Sequence, residues 1–486
     1  MTDLVIINPA ASHGIYGPLG DDLIAVEPPQ WCRLLAGYIQ DKGYSVEILD
    51  AEAVRLDHAM INEWMTVLKP ELVCVAVYGH QPSASTQQMW GARQLLEAAT
   101  WGAPTILVGG HPSALPIRTL REEKVDYVAA GEGHLTLLGL LQHDDVAIIP
   151  GLVWHDGKTI RVNKPAPLCE DLRELHGHVW DKLPMGKYRA HNWQCLSDLD
   201  RRQPYASIYT SLGCSFACSF CCINAPFGSN RYRTRRPDDV VDEIEYLFEE
   251  HHVRTLKITD EMFVLNPKHY LTVCEGLIKR GLGKKLNIWA YARVDTVKGS
   301  ETLAALGAAG IRWLALGIES ASKHVRDGAD KRLGTDDIIG TVRRIQAAGI
   351  HVIGNFMFGL RDDTLETMNA TLDLAIKSLP DWANFYSTMA YPGSGLYQQA
   401  LKENWTLPGS WRGYSQHNDD CRPLDTEHVM GEAVLAFRDQ AFLDFFTSQQ
   451  FRKHTLGKFG NDALHHVDRM TQYKLDRKLL NAQAAE

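Results

Sequence analysis

Apolar and polar positions fall in blocks along the first 150 residues, and the period changes from block to block. Short apolar runs, LVIIN (4–8), VEILDA (46–51), LVCVAVY (72–78), TILVGG (105–110) and DYVAAGEG (126–133), have the length of buried strands and end in small or polar residues. Between them lie stretches with apolar residues at helical spacing. PPQWCRLLAGYIQDKG (28–43) has a proline near its start and a glycine past its end, and a second helix is expected around 61–68. This alternation predicts an α/β, Rossmann-like unit, a doubly wound parallel sheet with helices on both faces, over residues 1–150. A ligand of such a sheet sits at the carboxyl ends of the strands. Here those ends are 8–20, 78–85, 109–112 and 131–133, rich in Gly, Ser and His.

The pattern weakens over 151–200, which reads as a connector. IPGLVWHDGKTIRVN predicts a small hairpin turning at Asp156–Gly157, and the rest is polar and punctuated by proline. From about 204 the alternation resumes, with strands at 206–211, 255–260, 286–292, 313–319, 351–359 and 382–391 and amphipathic helices such as 237–251 and 300–310. Six βα units over 201–400 predict a partial (β/α)6 barrel of the TIM type, open rather than closed. Residues 401–486 read as a helical C-terminal segment carrying several aromatics, a cap or a partner surface. No apolar run approaches the ~18 residues of a membrane span. The opening MTDLVIINPAASHG has neither a basic leader nor a cleavage site, so a cytoplasmic location is expected.

Composition adds limits. A length of 486 residues implies two or three domains. The formal charge of −9 argues against a nucleic-acid partner, which usually needs a basic face, although a local basic patch can sit inside an acidic average. RYRTRRP (231–237) is the one dense basic run and reads either as a solvated loop or as a binding patch. Ten cysteines in a chain of this kind do not make a disulfide framework. Seven of them (Cys32, Cys74, Cys169, Cys195, Cys222, Cys274 and Cys421) share no ligand spacing. Cys74, inside LVCVAV, is a small buried hydrophobe.

Cys214, Cys218 and Cys221 form C-x₃-C-x₂-C in SLGCSFACSFCCINAPFG, directly after the first strand of the second unit. Thiolates at this spacing on a curled loop reach three corners of an iron–sulfur cubane. Clusters that only carry electrons usually take four cysteines, so three leave one iron open to a substrate. Zinc is the alternative, but a structural zinc takes four protein ligands, and the nearest histidines, His191 and His251, lie far along the chain. Cys222 must face away from its neighbour Cys221.

With Phe220 just before its third cysteine, the motif resembles the signature of the radical SAM superfamily. The resemblance implies a [4Fe–4S] cluster whose open iron chelates the amino and carboxylate groups of S-adenosylmethionine (SAM). It implies reductive cleavage to methionine and a 5′-deoxyadenosyl radical, with an electron donor such as flavodoxin or ferredoxin. Phe220 would lie near the adenine. TLKITDEMFVLN resembles the family's second strand end, placing Asp260 and Glu261 in the methionine-binding region. YARVD and LGIESAS resemble the third and fourth, so Arg293, Glu319 and Ser320 would contact methionine or ribose. GNFMFGL, with Gly354, resembles the fifth-strand adenine segment, and MAYPGSGLY, with Tyr391, the sixth.

A parallel α/β unit before such a barrel resembles the cobalamin-dependent branch of the superfamily. PELVCVAVYGHQPSAS, ILVGGHPSALP and VDYVAAGEG resemble its cobalamin loops, which would place Tyr78, His80, Ser83, Ser85, Gly109, Gly110, His111, Gly131 and Glu132 against the corrin, with Ser113 as a further hydrogen-bonding residue. Asp-x-His-x-x-Gly, which supplies a lower cobalt ligand in many cobalamin enzymes, is absent. That leaves water, no ligand, or His80 or His111 below the cobalt, the ordinary reading of each histidine being a bond to the loop backbone. The implied activity is methylation of an unactivated carbon, or another poor nucleophile, of a small-molecule substrate. A cobalamin-dependent cyclase, oxidase or rearrangement enzyme is the second reading, and a non-catalytic Fe–S or cobalamin carrier the third. The substrate pocket is expected from 176–194 and 405–421, where Trp411, Tyr414 and His417 either line it or pack a cap.

Overall fold

The chain is described by a computed structural model covering residues 2–483 except 18, 80, 82, 83, 335 and 336. His80 and Ser83, both expected at the corrin, therefore lie outside the described residues.

The first sheet contains β1 (Leu4–Asn8), β2 (Val46–Asp50), β3 (Leu72–Val77), β4 (Thr105–Gly109), β5 (Tyr127–Ala129), β6 (Leu152–Asp156) and β7 (Thr159–Val162). Its order is β2-β1-β3-β4-β5-β6-β7. The first five strands are parallel, with Leu4 opposite Val46 on one side and Leu72 on the other. Every residue of β1, β3 and β4 is buried, as expected of strands covered by helices on both faces. Strand order reverses between β1 and β3, and the crevice of this doubly wound unit opens there.

The predicted hairpin is present as β6 and β7, but it is not part of a connector. It pairs antiparallel with β5 and finishes the first sheet. β5 is only three residues long, and the hairpin covers backbone groups that would otherwise form an open edge.

The second sheet is the expected open barrel. β8 (Tyr205–Ile208), β11 (Thr255–Ile258), β12 (Asn287–Arg293), β13 (Ile311–Glu319), β14 (His351–Phe358) and β15 (Trp382–Ser387) are parallel neighbours in chain order. Between the first two of these lies a short antiparallel pair, β9 (Ser211–Leu212) and β10 (Arg233–Thr234). The helix Pro237–Glu250 begins with proline in its first turn followed by Asp238 and Asp239, which suit the positive end of the helix dipole. The last strand ends four residues earlier than expected: Thr388 N–H bonds Phe358 O and the chain turns toward Pro392.

Residues 163–204 are irregular yet packed: Trp180, Tyr188 and Ala190 are almost fully buried and belong to one apolar core shared with both sheets. Isolated buried side chains between short 3₁₀ turns give the sequence no regular period here. The C-terminal segment is helical as expected: after the end of the helix Gly395–Lys402 and an irregular stretch, it forms the helices Gly431–Thr447, Gln449–Phe459, Asn461–Met470 and Lys478–Gln483. Before them the chain is irregular apart from a 3₁₀ turn, Trp411–Tyr414, which packs on the helix Ala84–Ala98 of the first unit. No helix among the described residues is long and apolar enough to cross a membrane.

Candidate functional site

The cysteine loop begins at the carboxyl end of β8 and is fixed by backbone and amide bonds. Asn224 accepts from Cys214 N–H at 3.2 Å and donates to Cys214 O at 3.0 Å. Cys221 N–H bonds Cys218 O, Ser219 N–H bonds Ala329 O, and Leu396 N–H bonds Ser219 O. Cys214 is buried, whereas Cys218 and Cys221 are partly exposed. Burial pushes the Cys214 thiol up to about 11 and the Cys221 thiol higher, with the neighbouring cysteines adding to the latter shift. Such thiols give up their protons on binding a metal. Three electrostatically coupled thiols on one pinned loop are a donor set that fits an iron–sulfur cluster. Among the described residues no three His, Cys, Asp or Glu side chains converge as the ligands of a single ion would. Cys222 does face away: it is buried and lines the crevice toward the first unit.

Glu319 ends β13 at a register shift, with φ of +64°. Held in this strained left-handed conformation, its carboxylate meets Lys331 Nζ at 2.8 Å, and both residues are more than nine-tenths buried. Both charges act on Cys218. Gly317 leaves room for the pair, since a Cβ there would lie 2.7 Å from Lys331 Nζ. Arg293 stacks over Phe216 of the cysteine loop, 4.0 Å from the ring centroid, and is held by Asp295 at 3.0 Å. Gly354 lies inside β14, where a Cβ would strike the Phe356 ring at 2.6 Å. Phe220 packs beside Met357, Leu360 and Leu396. Lys331 was not anticipated, because a lone lysine in a polar stretch carries no local signal.

Other expected contacts are spent elsewhere. The Asp260 carboxylate, fully buried, accepts from Thr210 N–H and Oγ1 at 2.6 and 2.5 Å and from Ser211 Oγ at 2.6 Å. It therefore ties down the entry to the cysteine loop instead of facing a ligand. Ser320, also fully buried, is occupied with Thr371 and the Ser322 amide. Tyr391 donates to Tyr414 O at 2.9 Å and fastens the C-terminal segment. Glu261, expected in the methionine-binding region, instead lines the crevice toward the first unit, with its Oε2 buried and without a hydrogen-bond partner among the described residues.

That crevice has two connected parts that share Trp31, Tyr78 and Gly79. One, about 570 Å³ and open to solvent, lies at the switch between β1 and β3 and includes Asn8, Ser12, Glu27 and Gln88. The other, about 410 Å³, runs between Gln81, Ser85 and Gly110 of the first unit and Tyr209, Cys222, Phe227 and Glu261 of the second. Its floor is Trp31 stacked on Tyr78, with ring centroids 4.3 Å apart and planes 9° apart. Gly79 has φ of +72°, and a Cβ at Gly109 would lie 2.0 Å from Val77 O, so both loops need glycine to shape the opening. Glycine at these strand ends leaves backbone N–H and C=O groups open to close approach by the edge of a ligand.

Several predicted crevice residues instead brace it. Ser85 Oγ donates to Val77 O and accepts from His111 N–H at 2.8 Å. Ser113 bridges Gly109 and Gly131. The His111 ring is buried, edge-on to Trp411 at 4.4 Å and 3.2 Å from Thr86 Oγ1, and burial holds it neutral with a pKa of about 3. It does not face the crevice, because the short turn after Gly110 directs it under the helix Ala84–Ala98. Glu132 is buried in a pair with Arg233 at 2.8 Å. Within RYRTRRP, Arg233 and Arg235 are thus neither solvated nor a binding patch: Arg235 pairs with buried Glu243 at 2.6 Å, while Arg231, against Glu170, and Arg236 are exposed.

Comparison with known proteins matches residues 21–141 to the B12 binding domain and residues 208–375 to the Radical SAM superfamily. A Pyrococcus horikoshii protein named uncharacterized methyltransferase PH0819 is 27% identical over 86% of this chain and 88% of its own. The anaerobic magnesium-protoporphyrin IX monomethyl ester cyclase of Rubrivivax gelatinosus is 29% identical over 80% of this chain and 69% of its own. The fold is shared with the radical S-adenosylmethionine methyltransferase TsrM from Kitasatospora setae, solved with cobalamin and a [4Fe–4S] cluster, at a TM-score of 0.69 and 19% identity over 100% of both chains.

Proposed function

Because the chain belongs to the cobalamin-dependent radical SAM family, we propose that it methylates an unactivated carbon of a small-molecule substrate. The family's [4Fe–4S] cluster, SAM and cobalamin, when bound, supply an electron, an adenosyl fragment able to take hydrogen from an inert C–H bond, and a one-carbon carrier. Cys214, Cys218 and Cys221 would hold the cluster. The opposite charges of Glu319 and Lys331 suit the ammonium and carboxylate ends of methionine, with Arg293 bracing the loop through Phe216 and Phe220 and Gly354 toward the adenine. Trp31, Tyr78, Gly79, Gly109 and Gly110 would seat the corrin. Trp411 and Tyr414 brace the first unit from outside through the His111 and Tyr391 contacts.

The observation that carries this reading is the crevice walled on one side by the strand ends of the first unit and on the other by the cysteine loop. It supports two cofactors working on one substrate. The test is anaerobic reconstitution, quantitation of iron, sulfide and cobalamin, and then product mass. A gain of one CH₂, formed together with 5′-deoxyadenosine and only when SAM, reductant and cobalamin are all present, supports methyl transfer. A product that loses hydrogen without that gain overturns it and favours the second reading, a cyclase, which the Rubrivivax gelatinosus relative supports. Magnesium-protoporphyrin IX monomethyl ester is therefore one substrate to assay.

A further inference from the structure

Glu261 is the one residue predicted for the methionine region that turns toward the first unit. It follows Asp260 at the carboxyl end of β11, where Asp260 is consumed by Thr210 and Ser211. The Glu261 side chain enters the 410 Å³ crevice opposite Tyr78, Gly79, Gln81, Ser85 and Gly110, and its Oε2 is buried with no partner. At the other end of the same opening, Gln88 lines the larger crevice and its Oε1 is likewise buried and unpartnered. Two orphaned acceptors thus flank the Trp31–Tyr78 floor, one from each unit. A buried polar atom left unpaired costs free energy, so both positions ask for a donor that none of the described residues supplies.

We infer that Glu261 is a cobalamin-binding residue contributed by the barrel, paired with a primary amide on the rim of the corrin, with Gln88 taking a second rim amide from the first unit. The inference rests on the family reading above. A corrin is a flat ring edged with primary amides, and a disc laid on the aromatic floor brings such groups to both ends of the opening. Burial raises the Glu261 carboxyl to about 8, so at neutral pH it is mostly protonated. A protonated carboxyl and a primary amide match at two points: O–H donates to the amide oxygen and amide N–H donates to the carboxyl oxygen. The barrel would in this way help fix the distance between corrin and cluster, which neither unit can set alone.

The test titrates hydroxocobalamin into the cobalamin-free full-length chain, followed by absorbance, with iron per chain and circular dichroism measured on the same samples. Glu261→Ala is expected to weaken binding about tenfold, while Glu261→Gln, which keeps both a donor and an acceptor, changes it by no more than about twofold. Gln88→Ala is expected to weaken it by a factor similar to Glu261→Ala, and iron per chain stays at the wild-type value throughout. Wild-type affinity in Glu261→Ala overturns the inference, as does a loss that tracks a loss of iron. Equal weakening by Ala and Gln overturns the two-point pairing. Failure of the wild-type chain to take up cobalamin overturns the family reading instead, so the two failures are distinguishable.

Discussion

Asp260 governs the cysteine loop without touching a thiol. Three donors, Thr210 N–H, Thr210 Oγ1 and Ser211 Oγ, converge on its buried carboxylate. Asp260→Ala leaves all three unsatisfied and should cost about 3 kcal/mol. It should also lower iron per chain, read by denaturation midpoint and iron assay together. Serine at Cys214, Cys218 or Cys221 should instead abolish reductive SAM cleavage with circular dichroism unchanged. Asp50 offers a pH test. Burial raises its pKa to about 6, against ~3.9 unfolded, although Asn8, Tyr188 and the Ala53 amide bond the carboxylate. A raised carboxyl stabilises the fold below the unfolded pKa, and that contribution is lost as pH rises through about 6. Asp50→Asn keeps the hydrogen bonds without the charge and should add about 2 kcal/mol at pH 7 and little at pH 4, by urea midpoint.

Among elements, the C-terminal helices depend on one buried carboxylate beneath the barrel. Asp381, fully buried before β15, receives Lys458 at 2.6 Å and His454 at 2.8 Å from the helix Gln449–Phe459, and the Val352 amide at 2.9 Å. Burial opposes its ionisation, but the His454 hydrogen bond and the Lys458 charge, with His351 Nδ1 3.8 Å away, hold its pKa well below the usual carboxylate range. Its contribution is therefore present above the unfolded pKa and lost as pH falls through the depressed folded value. Asp381→Asn should cost about 2 kcal/mol at pH 7, with the difference from wild type shrinking in acid, by denaturation at both pH values. The strands of both sheets were readable because each is a short apolar run bounded by polar residues, and β1 falls on LVIIN residue for residue. The burial of 163–204 is not legible in the sequence because it rests on isolated side chains such as Trp180 and Tyr188, which have no period.

At the scale of the whole molecule, the two units are bound by buried ion pairs and a common core. Glu132–Arg233 and Glu27–Lys257 join the first unit to the barrel, and Arg33 meets Glu243 at 3.1 Å. Apolar residues of both sheets and of 163–204 belong to a single cluster. Chemical unfolding should therefore appear as one transition, coincident by near-UV and far-UV signals; two separated transitions would contradict the shared core. Arg233→Met strands Glu132 in the interior and should cost about 3 kcal/mol in that same transition.

The chain's order of apolar runs determined two parallel sheets, because strand length and burial are local properties that sequence displays. Cysteine spacing determined a three-thiol loop, because three residues within eight positions cannot move far apart. Only the tertiary structure decided which polar residues were free to act. Asp260, Ser320, Ser85, His111 and Glu132 look like ligands in sequence, yet each is taken up by a partner that folding brings from elsewhere. Lys331 and Glu261 stand out only in the fold, for the same reason in reverse: one gains a buried opposite charge, and the other faces a crevice between units with an Oε2 that no described residue bonds. Hydrogen bonding and charge are satisfied in space, so the side chains left over for chemistry emerge only after the others have found their partners.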